Sequence, residues 1–245
     1  MMRTILLIVE YEGTAYCGWQ VQPNGLAVQQ VVEDALAQLV GEPVRLHSAG
    51  RTDAGVHARA MPAHFVTEKP WPLSAFREGV NRFLPADVAI REVREVASDF
   101  HARFSASGKW YRYTLYRSNV RSPLTARTAW HLPGQLDLTL MQQAAELLVG
   151  HHDFRAFRSS SCAAKTTKRE LFTAVIDQQG EFVYFDIRGS GFLKNMVRML
   201  VGTLVEIGQA KRPVDDIPRL LSGDQVLRAG ATAPPHGLCL MEVWY

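Results

Sequence analysis

The sequence predicts an α+β protein made of two tandem ferredoxin-like (β-α-β-β-α-β) halves, and three observations carry that prediction. Apolar residues switch between the two-residue period of strands and the i, i+3, i+4 period of helices. Segments of the two kinds alternate in the order β-α-β-β-α-β, and the order occurs twice. In the second half, two apolar-rich runs flank "QQG", the pattern of an antiparallel hairpin. Domains are therefore expected at 1–104 and 105–245, with antiparallel sheets that join into a platform with a central cleft.

The elements follow in chain order. "RTILLIVEY" (3–11) reads as a buried strand. Val28, Val31, Val32, Ala35, Leu36, Leu39 and Val40 form the stripe of an amphipathic helix, stopped by Gly41 and Pro43. "VRLHSA" (44–49) and "MPAHFVT" (61–67) read as strands on either side of a glycine-bracketed loop. A helix is expected from Pro72 to Pro85, and "VAIREVREV" (88–96) alternates as a half-exposed strand does. "KWYRYTLYR" (109–117) opens the second half as an aromatic strand, and Asp137 caps a helix expected to run through Val149. The hairpin 171–177 and 181–187 comes next. A long apolar helix from Phe192 to Ile207, a short one near 213–221 and a last strand at 237–245 complete the chain. Insertions after the first strand of each half are long enough to carry function.

Apolar content of 47% and charged content of 21% exclude wholesale disorder. The apolar run "ILLIV" is far shorter than the roughly 20 residues of a membrane span. The opening "MMRTILLIVEYEGT" shows no secretory cleavage pattern. Cys17, Cys162 and Cys239 are widely spaced and match neither a disulfide framework nor a zinc motif, so a cytoplasmic location is expected. Net charge is +3, but it is unevenly spread. Residues 100–136 hold six Lys/Arg and no acid, and 154–169 hold five more with no acid (Arg155, Arg158, Lys165, Lys168, Arg169). Two acid-free basic segments with aromatics inside them point to a polyanion partner.

"SAGRTDAGVHARA" (48–60) gathers Arg51, Asp53 and His57 between and beside Gly50 and Gly55. In an extended segment residues i and i+2 share a side, so Arg51 would lie beside Asp53 and keep its carboxylate ionised, as a nucleophile or general base requires. On spacing alone, an ordinary loop salt bridge is the better explanation. With His57 and His64 the carboxylate lacks the second acid of a metal site. On the strand 109–117, Lys109, Tyr111 and Tyr113 share one face, in the manner of RNA modules that stack bases on a sheet, while core packing suffices for Tyr113.

"YEGTAYCGWQ" (11–20), "GRTDAGVHA" (50–58), "KWYRY" (109–113), "GFLKNMVR" (191–198) and "APPHGL" (233–238) occur together in this order. Over nearly the whole chain they resemble the TruA-type tRNA pseudouridine synthases. Two departures are visible: Glu12 stands where Asp is usual, and Cys239 where Tyr is common. The resemblance implies an isomerase that converts uridine to pseudouridine in the anticodon arm of tRNA, positions 38–40, with no cofactor and no metal, as a homodimer. It implies that Asp53 is the nucleophile and that Arg51 helps flip the base and steadies the nucleophile. It also implies that Tyr111 packs on the base and that Arg198 pairs with Asp53, while Leu238 adds apolar packing. His57 stays unassigned. Lys109, Arg155, Arg158, Lys165, Lys168 and Arg169 are expected to grip phosphates, and "FRSSSCAAKTTKR" to order on binding. A non-catalytic tandem RNA-binding module would keep the basic segments and make Asp53 incidental. A hydrolase would need a second acid or a metal cluster.

Overall fold

The computed structural model describes residues 2–23, 25–224 and 226–245. Ten strands and four α-helices among these residues make the protein mixed α+β. Its contacts fall into two compact units, one reaching to Ser107 and including Cys239–Tyr245, the other Gly108–Leu238.

In the first unit, β1 (Arg3–Tyr11) lies between its neighbours in an antiparallel sheet. Helix α1 (Val28–Val40) buries Val28, Val32, Ala35 and Leu36, and ends on Gly41 at φ +80°. Next come β2 (His47–Ser48), β3 (His57–Thr67) and β4 (Val88–Val96), in the order β4-β1-β3, with β2 on the far edge of β3. Ile5, Leu7 and Val9 of β1 are fully buried, as the unbroken apolar run requires. The helix expected at 72–85 is shorter and contains a π-helical turn, Ala75–Gly79. Gly79 sits against α1, and a Cβ there would lie 2.8 Å from Leu39 Cδ1.

The second unit runs β5 (Gly108–Tyr116), β6 (Trp130–His131), α2 (Leu138–Glu146), β7 (Gly150–Asp153), β8 (Lys168–Gln179), β9 (Phe182–Gly189), α3 (Met196–Gly208) and α4 (Asp216–Ser222). Its antiparallel order is β5-β9-β8-β7. Asp137 caps α2, its Oδ1 accepting the Leu140 N–H at 3.0 Å. The last strand, β10 (Leu238–Trp244), packs with the first unit and runs parallel to β3, Cys239 opposite His57.

Several boundaries differ from the sequence pattern, and the strand expected at 44–49 shrinks to His47–Ser48. Strand β3 starts at His57, so the glycine-bracketed loop feeds directly into it. Helix α2 stops at Glu146, and Gly150 at φ +110° begins a strand in place of a helix end. Helix α3 starts at Met196 because Asn195 takes φ +62°, a left-handed conformation that interrupts a helix. Lys194 therefore lies outside α3 and does not share a helix face with Arg198.

Candidate active site

The loop 49–56 is held by the segment that follows β1. Trp19 N–H donates to the Thr52 carbonyl at 3.2 Å and Gly55 N–H to the Tyr16 carbonyl at 3.3 Å. Gly18 passes so close that a Cβ would lie 2.5 Å from Thr52 O, and one on Gly13 would lie 2.0 Å from Val56 O. Beneath the loop, the Tyr11 and Thr52 hydroxyls share a buried hydrogen bond of 2.8 Å. The first two resembling motifs are thus a single packed unit. Removing one partner from a buried hydrogen bond of this kind costs about 1–3 kcal/mol.

Asp53 sits half-buried at the start of a tight turn, where its carbonyl accepts Val56 N–H at 3.2 Å and Gly55 takes φ +76°. Arg51 is exposed and forms no ion pair among the described residues, so the expected Arg51–Asp53 pair is absent. The i, i+2 rule holds only for extended chain, and the backbone leaves that path at Asp53. His57 is buried, and its Nδ1 accepts the Gly13 N–H at 2.9 Å. That bond requires the Nδ1 lone pair. The 3.5 Å approach of Glu12 Oε1 to the same nitrogen is accordingly a proximity, and the hydrogen bond sets the tautomer.

In the second unit, Tyr111 on β5 is buried and meets Phe192 edge-on, ring centroids 5.1 Å apart. Tyr113, two residues along the same face, is in the core. Its hydroxyl donates to Pro234 O at 2.8 Å, and burial pushes its ionisation well above the usual phenol range. Gly237 abuts this ring, where a Cβ would lie 2.6 Å from Cζ. Leu238, next in the chain, is buried at the start of β10. Arg198 is half-buried, with Nε donating to Ala233 O at 2.7 Å and Nη1 to Asn195 Oδ1 at 3.3 Å. Segment 230–234 is strapped onto α3 by Gly230 N–H to Thr203 Oγ1 (2.8 Å) and Ala233 N–H to Arg198 O (3.1 Å). "KWYRY", "GFLKNMVR" and "APPHGL" therefore pack together around Tyr113 and α3.

The basic candidates divide. Arg155 is held by Asp153, its Nε 2.9 Å from Oδ2, and this carboxylate lies one residue before the acid-free stretch begins. Arg158, Lys165 and Lys168 are exposed and carry no ion pair among the described residues. Arg169 folds back on Thr166 O at 3.0 Å and Lys168 O at 2.6 Å, and burial lowers its guanidinium pKa. Lys109 is half-buried on β5. The serine-rich stretch is tied down as well: Ser159 N–H donates to Lys194 O at 3.1 Å, and Lys194 Nζ to Ser161 Oγ at 2.9 Å.

A family profile described as tRNA pseudouridine synthase matches residues 7–105 and 144–245. The chain belongs to that family. A relative named tRNA pseudouridine synthase A in Syntrophotalea carbinolica is 61% identical over 100% of this chain and 97% of its own. One of the same name in Geobacter sp. strain M21 is 57% identical over 100% and 99%, and one in Acetivibrio thermocellus 46% over 100% of each. Among solved structures, an archaeal box H/ACA sRNP Nop10–Cbf5 complex aligns at 12% identity and TM-score 0.37, over 82% of this chain and 44% of that one.

Both departures from the synthase pattern have structural places. Glu12 caps the turn after β1, where its Oε1 accepts from the Thr14 N–H (3.3 Å) and the Thr14 hydroxyl. Cys239 is half-buried opposite His57. Sequence reasoning missed Phe192 against Tyr111, although it lies inside a synthase motif. It also missed Asp186, which takes Arg112 through two bonds of 2.9 and 2.7 Å and the Trp110 indole N–H at 2.7 Å. The alternation of β5 and β9 would have placed these three on one face.

Proposed function

We propose that this chain isomerises uridine to pseudouridine in the anticodon arm of tRNA, positions 38–40, with Asp53 as the nucleophile. The observation that supports it best is the anchoring of the Asp53 turn on both flanks by the motif after β1, in a chain of the tRNA pseudouridine synthase family. A carboxylate held on a fixed turn meets the positional demand of nucleophilic catalysis. The target nucleotide leaves its stack at a cost of a few kcal/mol, offset by contacts to the RNA backbone. The carboxylate adds to the uracil ring or to the anomeric carbon. The bond between N1 and C1′ breaks, the base turns, C5 bonds to C1′, the bond to the Asp53 carboxylate breaks and returns it free, and the C5 proton is released while N1 gains one. Every other atom is kept, so the reaction needs no oxidant, reductant or group donor.

Arg51, exposed and without an ion pair among the described residues, suits a side chain that enters the gap left by the flipped base. Tyr111 packs on the uracil, with Arg198 and Leu238 assigned to substrate binding. Lys109, Arg158, Lys165, Lys168 and Arg169 contact phosphates, and Arg155 contributes less because Asp153 already neutralises it. The first unit is a ferredoxin-like half, and the second half of the chain is read the same way. The order β4-β1-β3-β2 of the first unit, with α1 between β1 and β2, supports this. The enzyme is a cytoplasmic homodimer, a reading that rests on the family resemblance; among the described residues no helix is long and apolar enough to cross a membrane. Tritium release from tRNA carrying 5-tritiated uridine, with the converted position mapped on the product, tests the activity. Release with conversion confined to 38–40 is expected. Tight tRNA binding without release would favour a non-catalytic RNA-binding module.

A further inference from the structure

Outside the synthase motifs, the second unit carries a cleft of about 380 Å³ where the chain leaves β5 and meets the β8–β9 turn. Arg117, Ser118, Asn119, Gln178 and Glu181 line it. The Arg117 Nε is buried and has no hydrogen-bond partner among the described residues. The guanidinium has no ion pair among the described residues, although the Arg117 backbone N–H donates to Glu181 O at 2.6 Å. Arg117 is only partly buried and lines the cleft, where its guanidinium can meet a partner from outside the chain. The surroundings favour an anion, since residues 117–136 hold Arg117, Arg121 and Arg127 and no acid. Across the cleft, the Glu181 carboxylate accepts the Tyr116 hydroxyl at 3.0 Å and keeps acceptor capacity for another donor.

A guanidinium and a carboxylate in one cleft select against a dianion such as free phosphate, which Glu181 repels. They match a group that pairs a single negative charge with a hydroxyl donor, and the cleft has the volume of a small-ligand site. We infer that it binds one ribose-phosphate unit of an RNA backbone, Arg117 taking the diester phosphate and Glu181 the 2′-hydroxyl. The assignment rests on the reading above that the substrate is RNA. It adds a contact that distinguishes RNA from DNA without reading sequence.

The test measures Kd for an unmodified tRNA transcript at several KCl concentrations, with a 20-nucleotide oligouridylate and its deoxy counterpart as competitors. Arg117→Gln should raise Kd and lower the slope of log Kd against log salt by about one. Arg117→Lys should keep the slope, since it keeps the charge, and it carries the test should the Gln variant fail to fold. Glu181→Ala should narrow the ribose-over-deoxyribose preference and leave the slope unchanged. Unchanged Kd and slope in Arg117→Gln would overturn the proposal. So would competition by millimolar inorganic phosphate that Arg117→Gln abolishes, with no ribose effect in Glu181→Ala, because that marks a free-anion site. Tritium release by the wild-type protein separates the two readings. Without release the synthase assignment fails; with release and an unaltered Arg117→Gln, only the cleft does.

Discussion

At Gly18 the backbone takes φ +107° and runs 2.5 Å from Thr52 O, measured from where a Cβ would stand. Gly134 has a similar φ of +95° with nothing within 4 Å of such a Cβ. The two positions separate backbone strain from crowding. Strain of this kind costs about 1–3 kcal/mol at either site, while only Gly18→Ala also displaces the Asp53 loop. Thermal unfolding should therefore show a larger fall in Tm for Gly18→Ala than for Gly134→Ala, with activity lost only in the former. Equal falls with activity kept would contradict the cradle. The same loop marks what a sequence discloses about single residues. Asp53 stood out through its neighbours, but the Arg51–Asp53 pair did not form, because a turn begins where the extended pattern was assumed to continue. The hydrogen bond from Gly13 to His57 joins residues 44 positions apart and leaves no local spacing to detect.

Elements with one apolar stripe and a firm stop were the most legible. Strands β1 and β4 and helix α1 lie at the residues their periodicity predicts. Helix α3 was misjudged at its start, since Phe192 and Leu193 continue the apolar pattern while Asn195 turns left-handed. Strand β7 was invisible: a glycine and three polar residues carry no apolar alternation, and only pairing with β8 defines them. The strap over α3 gives an element-scale prediction. A Cβ on Gly202 would lie 1.7 Å from Ala231 O, with no flexible side chain to yield. Gly202→Ala should lift segment 230–234 and lower stability by about 2–4 kcal/mol in denaturant unfolding. A cost below about 1 kcal/mol, the range of a surface change, would show that the strap moves freely.

For the molecule as a whole, a net charge of +3 understates its reach toward a polyanion, because acid-free segments concentrate the arginines and lysines. Structure refines the composition: Arg155 is neutralised by Asp153, whereas Lys168 is exposed and unpaired among the described residues. Lys168→Gln should lower the salt slope of tRNA binding by about one, and Arg155→Gln by clearly less. The reverse ranking would remove the Asp153 pair from the account. The central claim is that one carboxylate performs the chemistry, and tritium release from 5-tritiated uridine in tRNA, compared between wild type and Asp53→Asn, tests it most directly. The account predicts that the variant still binds tRNA and releases tritium at least about 10³-fold more slowly, on the order of the loss when a nucleophile is removed. Equal release by the two proteins would contradict it.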